Sequence, residues 1–176
     1  MAALFSALTV AGAYIKIPLP PVPLTLQTMM VYLSGLVLGG RGGALSQAIY
    51  LLLGLLGLPV FASGGGPAYI LSPTFGYLFA FVPASMVVGF LVRRLRGHWR
   101  ILSIVAGMLV VYSIGVGYLF FSMNVLLDKP MSVYDAVRFG FLITAPGEVF
   151  KGAVCWICFA SLERRFDLPL SGGGHD

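Results

Sequence analysis

Apolar residues in this chain come in long unbroken runs, and the polar residues collect in short segments between them, with no alternation of period two. Runs approaching the ~20 residues that cross a bilayer as helix predict an all-α integral membrane protein and not a barrel. The punctuation places six transmembrane helices at about residues 2–16, 26–38, 44–58, 72–92, 101–126 and 146–163. The first is short for a bilayer and would rely on local thinning. After it, Pro18, Pro20, Pro21 and Pro23 forbid continued helix and favour stiff extended chain, shaped as a lid over a cavity. Thr25 is placed to cap the second helix, with Gln27 an amide near the same end. Gly39-Gly-Arg-Gly-Gly reads as a tight turn, and a glycine-rich loop runs from Pro59 to Tyr69. Ser132-Val-Tyr-Asp135 has capping-box character and opens a short helix, 133–143. Pro146 suits the first turn of the last helix, where a missing N–H costs nothing. The tail 171–176, polar and glycine-rich, reads as disordered.

Composition supports the pattern: 59% of the 176 residues are hydrophobic, 10% are charged and the mean hydropathy is +0.96. A soluble domain carries about 25% charged residues, so this chain lacks the means to cover a water-facing surface. A net charge of +5 would suggest nucleic acid in a soluble protein, but here the basic residues stand at the ends of apolar runs, as topology signals. Arg41, Arg93, Arg94, Arg96, Arg100, Arg164 and Arg165 fall on the side shared by the termini, and Lys16, Lys129 and Arg138 on the other. Both termini are therefore expected in the cytoplasm, in the cell membrane. The proline loop, the glycine loop and the start of the last helix then meet on the extracellular side, where a substrate pocket is expected. The apolar amino terminus lacks a basic region before it and is read as the first span, not as a cleaved signal.

Candidate chemistry centres on Glu148 and Lys151, one carboxylate and one ammonium in a segment otherwise fit for lipid. Their i, i+3 spacing sets both on one helix face near its positive end. They either neutralise each other as a structural pair or bind a ligand, and ionisable groups within spans favour the second. Acceptor beside donor matches adjacent N–H and C=O groups, as in ureas and amides. Lys16 and Arg138 are the outer cations available to an anionic tail. Gly65, Tyr69, Thr74 and Tyr77 are candidates for close backbone approach, polar contact or stacking, alongside Gln27, with an ordinary flexible loop the alternative for the glycines. That loop lacks the Gly-Lys-Ser/Thr ending of a phosphate loop. Ala3, Ala7 and Ala11 repeat every four residues and make a face for close helix approach, within the chain or to a partner subunit. Cys155 and Cys158 read as buried free thiols, and no metal site or cofactor is expected. Intramembrane proteolysis would need a histidine, an aspartate pair or a His-Glu-x-x-His helix within the spans, none of which is present.

Four stretches together are similar to the biotin-specific substrate-binding subunits (S components, BioY family) of energy-coupling-factor transporters. They are Ile17-Pro-Leu-Pro-Pro-Val-Pro-Leu-Thr-Leu-Gln27, Gly54-Leu-Leu-Gly-Leu-Pro-Val-Phe61, Ser72-Pro-Thr-Phe-Gly-Tyr77 and Pro146-Gly-Glu-Val-Phe-Lys151. The resemblance implies a non-enzymatic subunit that captures biotin outside and delivers it when coupled to a transmembrane coupling protein and two ABC-type ATPases. It assigns Ala3, Ala7 and Ala11 to the coupling protein. Glu148 stands where the family pattern has aspartate and Phe75 where it has glycine, which lengthens the acid by one methylene and is expected to reshape one wall. Another vitamin-like ligand, or a self-sufficient biotin carrier, is the alternative.

Overall fold

In lipid a helix hides its small and polar side chains and shows its apolar ones, and α1 (Ala2–Tyr14) does this: Ser6, Thr9, Gly12 and Ala13 are buried while Leu4 is 54% exposed. The computed structural model describes residues 1–165, and the segment 171–176 lies outside the described residues. Its remaining helices are α2 (Gln27–Leu55), α3 (Phe75–Arg94), α4 (Ile101–Phe121), α5 (Val133–Val137) and α6 (Ala145–Arg165). Among the described residues, four helical stretches are long and apolar enough to cross a membrane, Gln27–Leu55, Phe75–Arg94, Gly97–Leu126 and Val133–Glu163, and α1 is a shorter apolar helix. The protein is a multi-pass membrane protein, helical among the described residues but for one small ribbon.

The first of these stretches is not a single rod. Gln27 Nε2 donates to the Tyr50 hydroxyl and Gln47 Nε2 to Ser34 Oγ (3.2 Å), whereas residues 23 apart in a straight helix lie ~34 Å from each other. The chain reverses at Gly39, whose φ of +76° and ψ of 176° leave the helical region, giving antiparallel arms 27–38 and 40–55. The turn needs only that one glycine. Gly40 and Gly43, which the sequence assigns to the turn, are already helical and serve packing: a Cβ on Gly40 would stand 2.9 Å from the Met86 carbonyl, and one on Gly43 2.9 Å from Gly35 Cα.

α2 packs on α3, α3 on α4, α1 on α2, and α6 lies against α2 and α4. A buried polar chain fastens α1 to the α2 arms: Ser6 Oγ donates to the Ser46 carbonyl (2.6 Å), and Gln47 Nε2 is shared between Thr9 Oγ1 (3.2 Å) and Ser34 Oγ. Such bonds compensate groups that hydrocarbon would leave unpaired. Gly12 lets α1 back onto the start of α2, since a Cβ there would lie 3.0 Å from the Leu26 carbonyl carbon.

The proline segment differs from the expected purely extended lid. Its two ends pair as an antiparallel ribbon, β1 (Lys16–Ile17) with β2 (Leu24–Thr25), Lys16 opposite Thr25. Backbone donors that the prolines lack are supplied at its ends instead. The ribbon is tied to the following loop by Tyr14, whose hydroxyl donates to the Pro59 carbonyl (2.5 Å), and by Lys16, whose ammonium donates to the Ala62 carbonyl. Helix α3 begins at Phe75, later than the expected residue 72, because Pro67–Leu71 forms a 3₁₀ turn and Ser72 Oγ and Thr74 Oγ1 bond each other at 3.0 Å. Ser132 caps α5, accepting from the Asp135 N–H (3.0 Å), and the chain passes through a π turn, Arg138–Leu142, before α6. At the opposite end of the bundle Arg93 packs against Gly39 and Arg100 pairs with Glu163.

Candidate ligand-binding site

At the ribbon end of the bundle the helices line a partly open pocket of about 60 Å³. Six elements supply its walls: the ribbon, the glycine loop, α2, α3, α4 and the start of α6. Val22, Pro23 and Leu24 of the ribbon and Ala62 of the glycine loop close the top; Tyr69, Tyr77, Phe81 and Tyr112 give aromatic sides; Thr28, Thr144, Glu148 and Lys151 make the polar floor. The aromatic positions are held from behind. Tyr69 packs on Phe61 with ring centroids 4.8 Å apart, and Tyr77 donates from its hydroxyl to the Gly140 carbonyl (2.9 Å).

Glu148 falls in the first turn of α6, and one turn of helix brings Lys151 beside it. The two are 4% and 5% exposed and form an ion pair. Removing such a pair from water is costly unless further hydrogen bonds complete it, and the first α2 arm provides them. Thr28 Oγ1 donates to Glu148 Oε1 (2.7 Å) and accepts from Lys151 Nζ (2.7 Å), the Tyr32 hydroxyl donates to Glu148 Oε2 (3.1 Å), and Lys151 Nζ also donates to the Thr25 carbonyl (2.8 Å). All three ammonium hydrogens thus have partners. Oε2 keeps a lone pair free beside Tyr32. Above the pair, Tyr112 and Thr144 share a hydrogen bond of 2.9 Å. The floor is net neutral and presents an acceptor next to a donor cluster.

Of the sequence candidates, Gln27, Tyr69, Thr74 and Tyr77 join Glu148 and Lys151 around this one cavity. Gln27 is already engaged at both ends of its amide, accepting from Thr25 Oγ1 (2.9 Å) and donating to Tyr50. Gly65 stands apart: it is exposed, faces the backbone of Leu58 and Gly54, and Ala62 takes its place in the cavity wall. Phe75 does not reshape a wall either, since its ring turns to Tyr118, centroids 5.8 Å apart. Thr28 and Tyr32 escaped the sequence reading. Two hydroxyls four residues apart on one face of an apolar helix are the signal that marks them. Cys155 is buried beside the Met29 carbonyl (3.9 Å), a core thiol, while Cys158 is partly exposed. Ala3, Ala7 and Ala11 are exposed along α1, opposite the face that carries Ser6 and Thr9.

A bundle of membrane helices around a partly open, net-neutral, aromatic-sided pocket is the architecture of a small-molecule-binding membrane protein. The chain belongs to the BioY family, whose pattern matches residues 1–168. It is 45% identical over 146 residues to the "Probable biotin transporter BioY" of Lysinibacillus sphaericus, covering 81% of this chain and 74% of that protein. The "Biotin transporter BioY" of Rhizobium etli is 33% identical over 168 residues, 88% of this chain and 86% of its own. Its fold is similar to the crystal structure of the S-component for biotin from an ECF-type ABC transporter, with a TM-score of 0.82 and 26% identity, over 93% of this chain and 88% of that one.

Proposed function

We propose that this chain is the biotin-capturing S component of an energy-coupling-factor importer, and the observation that carries the reading is the neutral Glu148–Lys151 pair at the floor of an apolar, aromatic-sided cavity. A cyclic urea offers two N–H donors flanking one carbonyl. Glu148 Oε2 accepts one N–H at the lone pair Tyr32 leaves free, and Lys151 turns one hydrogen from Glu148 Oε1 to the ureido carbonyl, Oε1 keeping Thr28 as its donor. Tyr69, Tyr77, Phe81 and Tyr112 enclose the fused rings, and Gln27 and Thr74 complete the polar rim.

Six crossings are supported by α1, the two α2 arms, α3, α4 and α6. The arginine-rich end is cytoplasmic and the ribbon end extracellular by the positive-inside rule, so the pocket fills from outside and both termini lie inside. ATP hydrolysis belongs to two separate ABC-type subunits, reached through a coupling protein that docks on Ala3, Ala7 and Ala11 of α1.

Calorimetric titration of the detergent-purified chain tests the capture role. Nanomolar binding of biotin, with none of thiamine or riboflavin, is expected, and absence of biotin binding would overturn it. Glu148→Asp withdraws the carboxylate by one methylene and is expected to weaken binding about tenfold, on the scale of one lengthened charge-assisted hydrogen bond. Ala7→Leu is expected to leave biotin binding intact while abolishing uptake in cells that carry the coupling module, read by labelled-biotin accumulation. Uptake surviving in cells without the ATPases would instead identify a self-sufficient carrier.

A further inference from the structure

Biotin carries an anionic tail as well as a cyclic urea, and the neutral floor has no charge to spare for it. Apart from Lys151, the described residues lining the main cavity include no cation. A second, shallow groove adjoins the cavity at Pro23 and runs over the proline segment, and its polar side chains are Lys16 and Ser63. Lys16 sits where the two loops meet, its ammonium on the carbonyl of Ala62, a wall residue of the main cavity. One of three ammonium hydrogens is used there, leaving two for a ligand.

The sequence leaves Lys16 and Arg138 equivalent as outer cations, and the structure separates them. Arg138 lines neither space, and its guanidinium stands 5.6 Å from the Phe139 ring centroid. Lys16 is linked to the floor through a single rung of the ribbon: it pairs opposite Thr25, whose carbonyl accepts from Lys151. The two ammonium groups are therefore separated by at most one hydrogen bond, one inter-strand step and one lysine side chain, a span that an extended biotin molecule can bridge.

We infer that Lys16 is the specificity-determining contact for the ligand's tail, receiving the carboxylate through the gap between proline and glycine loops, with the Ser63 hydroxyl beside it. The site thereby selects a cyclic urea bearing a free acid over the same urea with a neutral tail. This rests on the biotin reading above. The carboxylate joins an ammonium already fixed by the Ala62 carbonyl, so ligand and lysine together bridge the two loops.

The test is a titration of the full-length chain with biotin and with biotinamide, in the wild type, K16Q, K16R and R138Q. Wild type is expected to favour biotin about tenfold, the scale of a charge-assisted bond at a partly hydrated site. K16Q keeps a hydrogen-bond donor but no charge, and should bring the ratio of the two affinities close to one, chiefly by weakening biotin. K16R and R138Q should preserve the preference. Equal binding of both ligands by the wild type, or a preference that survives K16Q, overturns the assignment while leaving the urea site intact. Failure of both ligands to bind the wild type overturns the biotin reading and this assignment with it.

Discussion

Replacing Lys151 by alanine is expected to lower biotin affinity by roughly a hundred- to several-thousand-fold, the equivalent of about 3–5 kcal/mol for a broken buried pair. The variant loses the donor for the ureido carbonyl and leaves the Glu148 carboxylate with only the Thr28 and Tyr32 hydroxyls. Calorimetry on the purified variant reads the loss directly. A second variant separates ligand recognition from mutual neutralisation. If the pair serves only to cancel its own charge, Glu148→Leu combined with Lys151→Met would retain biotin binding, since apolar replacement of a whole buried pair is often neutral for stability. The expected result is a folded protein of near wild-type stability that does not bind biotin.

Gly35→Val, far from the charged floor of the cavity, is expected to be strongly damaging. A Cβ at Gly35 would stand 3.0 Å from Val88 Cβ and 3.2 Å from the Gly89 N–H, beside the Ser85 carbonyl, and Gly43 of the other arm approaches Gly35 from its own side. Three helix segments therefore meet where one glycine leaves room. Most of these neighbours are backbone, which does not rotate away, so the cost is about 3 kcal/mol, the upper end of overpacking. Thermal unfolding in detergent checks it: the midpoint should fall well below that of wild type, whereas an unchanged midpoint would mean that the arms spread without penalty. Biotin should recover part of the loss by binding the folded state.

The helices were legible because their apolar runs and breakers are local signals. Gly39, the one residue at which the chain reverses, lies in the glycine segment read as a turn. Composition cannot tell a glycine needed for its φ from those needed for close packing, as Gly40 and Gly43 are, so residues 39–43 look like one turn in the sequence. The ribbon was missed for a related reason: paired segments of two residues are too short to show alternation. In the cavity, Glu148 and Lys151 stood out as charges in an apolar run, while Thr28 and Tyr32 did not, because hydroxyls are ordinary in membrane helices until a partner is known. Gly65 and Phe75 illustrate the converse, residues conspicuous in a motif whose side of the chain faces elsewhere.

The reversal at Gly39 also constrains how the protein is made. At 1.5 Å per residue, arms 27–38 and 40–55 measure about 18 and 24 Å, each less than the ~30 Å of hydrocarbon. Gln27 and Ser34 of the first arm find partners in Tyr50 and Gln47 of the second. As it emerges from the ribosome, the first arm alone would be too short and too polar to settle in the bilayer. The two arms are therefore expected to enter the membrane as a pair, once residue 55 has been synthesised, and α1 to bury Ser6 and Thr9 against them in the same step.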